Sequence, residues 1–123
     1  MREFAIGRWR SIQCAVSGIV HVVRSQRNAW VHLLATLLVI LTAWSLSLSA
    51  GEWCWMAAAI GIVWTAEALN TALELVCDVA SPDYHPTIGR AKDAAAAGVL
   101  LAALTSTAIA TCTLGPHLLA FRQ

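Results

Sequence analysis

From Leu33 to Ala50 the chain reads "LLATLLVILTAWSLSLSA", an apolar run without a charge. A second apolar run lies between Glu52 and Asp78, interrupted only by Glu67 and Glu74, and a third extends uncharged from Ala94 to about Gly115. Each can supply the roughly 20 residues that a membrane-spanning helix needs. Helices are favoured because a backbone in lipid must satisfy its own hydrogen bonds. The pattern predicts transmembrane helices over about 30–50, 53–79 and 91–115. Residues 4–27 behave differently: in "FAIGRWRSIQCAVSGIVHVVRSQR", arginines alternate with an apolar stripe of Phe4, Trp9, Ile12, Val16, Ile19, Val20 and Val23. That is the pattern of an amphipathic helix lying in the membrane interface. The expected fold over residues 1–123 is one all-α integral membrane domain, an interfacial helix followed by three spans.

The connections orient these spans. "SLSAGE" is short and has no Lys or Arg, whereas "SPDYHPTIGRAKD" is polar and carries Arg90 and Lys92. With the arginines that precede the first span, the positive-inside rule predicts a cytoplasmic N-terminus and second loop, and an outer first loop and C-terminus. Trp53 and Trp55 fit an outer aromatic belt. Composition agrees with a membrane protein: 59% of the 123 residues are hydrophobic and 12% charged, against about 25% charged in an average soluble domain. The net charge of +1 implies no strongly charged partner. Arg2, Arg8, Arg10, Arg24 and Arg27 are too sparse for nucleic acid and suit anionic lipid heads. Cys14, Cys54, Cys77 and Cys112 have no metal-ligand spacing and read as small apolar residues. The first 28 residues lack the apolar core and cleavage site of a secretory signal.

The second span is the anomaly. At about 100° per residue, Glu67, Asn70, Thr71, Glu74 and Asp78 fall within an arc of about 100°. Glu67 and Asp78 are separated by about 16 Å along the axis, and the stripe occupies the half of the span remote from Trp53. Such acids can simply pair with cations on other helices, but spans one and three hold no internal Lys or Arg. Ionisable groups inside a span point to function by default. Two acids, an amide and a third acid can hold a hard cation such as magnesium through oxygen ligands. The stripe ends against a loop with His85, Arg90, Lys92 and Asp93, and Lys92 near a helix N-terminus suits phosphate. Carboxylates for metal, cations for phosphate and a carboxylate base are the parts of phosphoryl transfer. No Walker A or kinase glycine-rich motif is present. The position of the stripe at the interface argues for a lipid acceptor.

"EALNTALELVCD" (Glu67–Asp78) resembles the signature of the prokaryotic diacylglycerol kinase family, which includes the undecaprenol kinases, and "DYHPTIGRAKDAAAAGVL" (Asp83–Leu100) resembles its second block. The resemblance implies a homotrimer of the bacterial inner membrane with active sites shared between subunits at the cytoplasmic face. It implies transfer of the γ-phosphoryl group of MgATP to a lipid alcohol, diacylglycerol or undecaprenol. By motif position Glu67 is the general base and Glu74 a magnesium ligand. Asn70, Glu74, Asp78, Asp83, Tyr84, His85, Gly89, Arg90, Lys92 and Asp93 then surround ATP, together with Arg8 or Arg10. Asn28, His32 and Ala96, beside Glu67, are placed at the lipid substrate.

One departure is local to this chain. The family carries a second metal-binding glutamate before its first span, in a stretch like E-R-N-x-x-[IV]-H; here the stretch is "QRNAWVH", with Gln26 in its place. An amide oxygen can bind a cation without bringing charge, so weaker metal binding is expected. "RN" with "VH", and "YHP", resemble the undecaprenol kinase branch, while "GRAKD" resembles the diacylglycerol kinase branch. A catalytically weakened or inactive homologue, and a non-enzymatic membrane oligomer with a polar lumen, are the alternative readings; a lumen has no evident need of Tyr84–His85 and Lys92–Asp93. His21 is expected at the interface and His117 solvated at the outer end. Trp44 and Trp64 are expected to face lipid or packing, and Ala94–Gly98 to permit close helix packing.

Overall fold

A computed structural model describes residues 2–83 and 85–120, with side chains from Gly7 onward. These residues form four α-helices: α1 (Arg2–Ser25), α2 (Arg27–Ser45), α3 (Ala50–Ala80) and α4 (Pro86–Ala120). The last three are long and apolar enough to cross a membrane. Their surfaces carry exposed Leu34, Leu38, Leu41, Leu101 and Leu104, the face that lipid rather than water rewards. The side chain of Phe4 and the whole of Tyr84 lie outside the described residues.

The helix boundaries differ from those expected, each for a local reason. α1 and α2 are separated by one extended residue, Gln26 (φ −101°, ψ 123°), whose N–H still bonds Val22 O at 3.0 Å. α2 stops at Ser45 instead of reaching about residue 50, because Ser47 takes a left-handed conformation (φ 53°), the usual way to end a helix. α3 begins at Ala50 rather than 53. Ser49 caps it in a reciprocal box with Glu52, a Ser-x-x-Glu signal legible in the sequence. α4 starts at Pro86, five residues before the expected 91, since proline suits a first helical turn. It also runs through Pro116 to Ala120, past the expected end at 115; the proline removes one ladder bond without stopping the helix.

Packing is antiparallel and centred on α3, which makes its broadest contact with α4 and also meets α2 and α1. Three polar contacts fix the α2–α3 register: Thr36 with Trp64, His32 with Glu67, and Gln26 with Glu74. Ser106 Oγ donates to Ala59 O at 2.7 Å and ties α4 to α3. α2 presents Ala29, His32, Thr36, Val39 and Ala43 at alternating spacings of three and four, with both alanines fully buried. α3 carries its buried Met56, Val63, Glu67, Asn70 and Cys77 in the same repeat, and the contacts above make the α2–α3 seam. The apolar core of Ala43, Leu48, Met56 and Leu114 sits at the α2–α3 turn end; the polar residues sit toward the α3–α4 loop.

Tertiary contacts refine several expectations. His117 stays partly exposed but is also paired: its Nε2 lies 2.6 Å from Glu52 Oε1, and the two residues join the far end of α4 to the start of α3. Trp64 takes the packing role, one of the two expected of it: its indole N–H donates to Thr36 Oγ1 at 3.1 Å, as a partly buried indole requires. Ala94, Ala96, Ala97 and Gly98 remain exposed. The α3-facing side of α4 runs through Lys92, the half-buried Ala95, and the buried Val99 and Ala102, so only one residue of the small run lies on it.

Candidate active site

Glu67 is the least expected feature of the seam. It is 1% exposed, and neither carboxylate oxygen has a hydrogen-bond partner among the described residues. A buried polar group without a partner costs about 1–3 kcal/mol, more when charged, so its presence calls for an explanation other than stability. The nearest polar side chain from another helix is His32 of α2, with Nε2 at 3.8 Å from Glu67 Oε2. Thr71 does not help, since its hydroxyl bonds back to the Glu67 carbonyl at 2.9 Å.

Two turns along α3, Glu74 sits among amides. Gln26 Nε2 donates to its Oε2 at 2.7 Å, and Asn70 Nδ2 donates to its Oε1 at 3.1 Å. The break between α1 and α2 is what swings Gln26 onto α3: an extended residue between two helices turns its side chain off the helical spiral. Gln26 and Glu74 therefore meet directly, as the motif position implies, but through the amide nitrogen rather than the carbonyl oxygen. Asn70 Oδ1 is buried and unpartnered. If both amides turn over, Gln26, Asn70 and Glu74 present an all-oxygen set with a single charge. No group of three or more His, Cys, Asp or Glu gathers for a metal among the described residues.

One further turn on, Asp78 pairs with Lys92 of α4, both partly open to solvent. The start of α4 is ordered locally. His85 Nδ1 accepts from Thr87 N at 3.2 Å, Gly89 N donates to His85 O at 3.0 Å, and Arg90 Nη2 donates to Thr87 Oγ1 at 3.4 Å. A Cβ placed on Gly89 would meet nothing within 4 Å, so open space surrounds this turn. Asp83, Asp93, Asn28, Ala96, Arg8 and Arg10 are exposed. Tyr84 is not described.

The single chain thus brings together three sets that the sequence marked: Glu67 with His32; Gln26 with Asn70 and Glu74; Asp78 with Lys92. Beside the first lies a cavity of about 370 Å³ between α2, α3 and α4, within the range typical of ligand pockets. Val31, His32, Thr36, Val63, Ser106 and Thr107 are among its lining residues. Thr36, Ser106 and the cavity were not singled out from the sequence; a threonine in a span carries no signal until its neighbour is known.

A helical membrane bundle with a buried carboxylate face open toward one polar loop defines the class of protein. Comparison with known proteins then gives the family. The profile described as prokaryotic diacylglycerol kinase matches residues 13–114. The undecaprenol kinase of Bacillus subtilis is 34% identical over 110 residues, covering 89% of this chain and 89% of that protein. The diacylglycerol kinase of Synechocystis sp. is 37% identical over 110 residues, covering 89% of this chain and 63% of its own length. That of Escherichia coli K12 is 35% identical over 72 residues, covering 58% of this chain and 59% of its own. The chain belongs to the prokaryotic diacylglycerol kinase family.

Proposed function

We propose that this protein is an ATP-dependent lipid kinase that transfers the γ-phosphoryl group of ATP to the hydroxyl of a membrane lipid alcohol, diacylglycerol or undecaprenol. The observation that carries the reading is Glu67, a fully buried carboxylate with two unpartnered oxygens on a membrane helix. Family membership, and relatives that act as kinases on both lipids, support the substrate class.

The order of groups along α3 matches the order the reaction needs. Glu67, deepest in the span, accepts the proton of the lipid hydroxyl as its oxygen attacks the γ-phosphorus. The new phosphorus–oxygen bond forms as the bond to ADP breaks. A base must lie within hydrogen-bond reach of the proton it takes, and Glu67 has both oxygens available. Glu74, Gln26 and Asn70 are the residues that would hold magnesium. The unpartnered Asn70 oxygen and the all-oxygen donor set fit a cation that takes one or two carboxylates and leaves its remaining positions to water and phosphate. Bound there, magnesium neutralises charge on the phosphates. Lys92 leaves Asp78 to meet the phosphate chain, and Asp83, Tyr84, His85, Gly89, Arg90 and Asp93 line the nucleotide at the loop, with Arg8 or Arg10 from α1. Asn28, His32 and Ala96 face the lipid.

The same reading places the loop end in the cytoplasm and α1 in the interface of the bacterial inner membrane. Its exposed Trp9, Ile12, Val16 and Ile19 support that placement. The chain acts as a homotrimer with shared sites; the exposed run Ala94–Gly98 offers a small-residue surface to a neighbouring copy. The test is phosphorylation by purified protein with MgATP and matched panels of diacylglycerols and polyprenols. Formation of phosphatidate or undecaprenyl phosphate is expected, and turnover of neither overturns the reading.

A further inference from the structure

A buried base poses a second problem once it has worked. The proton that Glu67 gains at each turnover must leave a carboxyl group that is almost wholly shielded from solvent, or the second turnover cannot begin. The seam supplies one acceptor. His32 Nε2 lies 3.8 Å from Glu67 Oε2, and its side chain is 15% exposed against 1% for Glu67. His32 also lines the cavity between α2, α3 and α4, so one edge of its ring meets the buried carboxyl while the residue reaches an open space. The register is held one turn away on both helices, where the Trp64 indole donates to Thr36. Thr36 follows His32 by four residues and Trp64 precedes Glu67 by three, which puts each pair on one helix face.

The surroundings leave little choice of partner. α3 itself contributes Glu74, whose two oxygens are already engaged by Gln26 and Asn70. α4 carries no Asp, Glu, Lys, Arg or His from Ala94 to Pro116, the stretch that packs along this part of α3. From α1, His21 and Arg24 are exposed. Lys92 belongs to Asp78 at the loop.

We propose that His32 is the positioning residue that clears the proton from Glu67 after attack, an inference that rests on the kinase reading above. In the resting site neutral His32, protonated on Nδ1, turns its Nε2 lone pair toward Glu67. After transfer, the O–H bond of the Glu67 carboxyl breaks and an N–H bond forms at His32 Nε2. The imidazolium then gives a proton to water in the cavity, and carboxylate and imidazole return to their starting charges. A shift of less than 1 Å closes 3.8 Å to proton-transfer range.

The test compares wild type, His32→Ala, His32→Gln and Glu67→Gln in the lipid phosphorylation assay, with and without free imidazole. For His32→Ala we expect kcat to fall about 100-fold, the low end for a positioned proton-transfer group, with KM for ATP unchanged. Imidazole should restore much of that loss by occupying the vacated space. His32→Gln, which keeps size and hydrogen bonding, should be slow and gain little, and Glu67→Gln should be inactive at any imidazole concentration. A His32→Gln enzyme as fast as wild type overturns the proposal, and so does a His32→Ala enzyme that imidazole leaves unchanged. Absence of phosphorylation by wild type overturns the kinase reading instead, so the two failures are distinguishable.

Discussion

Two glutamates on α3, about 22 Å apart along the axis, have opposite surroundings. Glu52, at the α2–α3 turn, has every oxygen used. Oε2 accepts from Ser49 N at 2.8 Å and Ser49 Oγ at 2.7 Å, and Oε1 faces His117 Nε2 at 2.6 Å. Glu67, in the middle of the span, is more deeply buried, and neither of its oxygens has a hydrogen-bond partner among the described residues. The first arrangement is what folding selects: a carboxylate at a helix N-terminus favours the helix dipole and satisfies free amides. The second works against folding, because desolvating a polar group without a partner is costly. The residues around Glu52 give up nothing for function, while those around Glu67 give up stability for it. A protein can tolerate that strain at one place when the rest of the structure compensates, here through the apolar core of Ala43, Leu48, Met56 and Leu114 beside the Glu52 end.

The contrast breaks most visibly at Glu67. Glu67→Gln should lower lipid phosphorylation by about 10²- to 10⁴-fold, the contribution of a positioned base, with ATP binding retained in a nucleotide-binding assay. Glu67→Met goes further in the other direction. Removing an unpartnered buried carboxyl should stabilise the protein by about 1–3 kcal/mol, seen as a higher Tm in detergent. A lower Tm would mean that the carboxyl does have a partner in the working assembly.

At the loop, Lys92→Ala removes a charge-assisted hydrogen bond worth about 1.5–3 kcal/mol to a bound anion. The KM for ATP should therefore rise about 10- to 100-fold. Its solvent-exposed pair with Asp78 contributes little to the fold, so Tm should hardly move. Equal losses of Tm in Lys92→Ala and Asp78→Asn, with unchanged KM, would make the pair purely structural.

Gln26→Glu tests the amide cluster around Glu74. Two carboxylates then face each other, so the variant should unfold more readily than wild type in chelator and recover in magnesium, with half-maximal rate reached at about tenfold lower magnesium, an effect of about 1.4 kcal/mol. An unchanged magnesium dependence of both Tm and rate would remove this position from the metal.

The smallest effect belongs to the Glu52 end. Ser49→Ala should cost about 1 kcal/mol of stability, the usual value of an N-cap, and leave kcat unchanged. Any loss of turnover there would show that the two ends of α3 communicate.

Much of this architecture was legible in residue order. Three charge-poor runs became α2, α3 and α4 because a backbone in lipid has few alternatives to a helix. The stripe from Glu67 to Asp78 became one face because helical angles are fixed. Pro86 and the Ser49–Glu52 box were readable signals that move helix starts to 86 and 50. What eluded the sequence was partnership. The pairings of His117 with Glu52 and of Trp64 with Thr36 could not be read, since neither partner, 65 and 28 residues away, advertises that it will arrive alongside. Of the small run Ala94–Gly98, Ala95 is half-buried and the other four residues stay exposed in the single chain.

By itself the sequence determined the number of helices, the polar face on α3, and an uncharged Gln26 just before the first span. Those properties follow from local periodicity, the requirements of a lipid solvent and residue identity. Only the tertiary structure decided that Gln26 turns its amide nitrogen to Glu74, that Lys92 takes Asp78, and that His32 stands beside a Glu67 with no other partner. The register of two antiparallel helices sets those meetings, and register is fixed by side-chain packing along the whole seam, which no single stretch of residues contains.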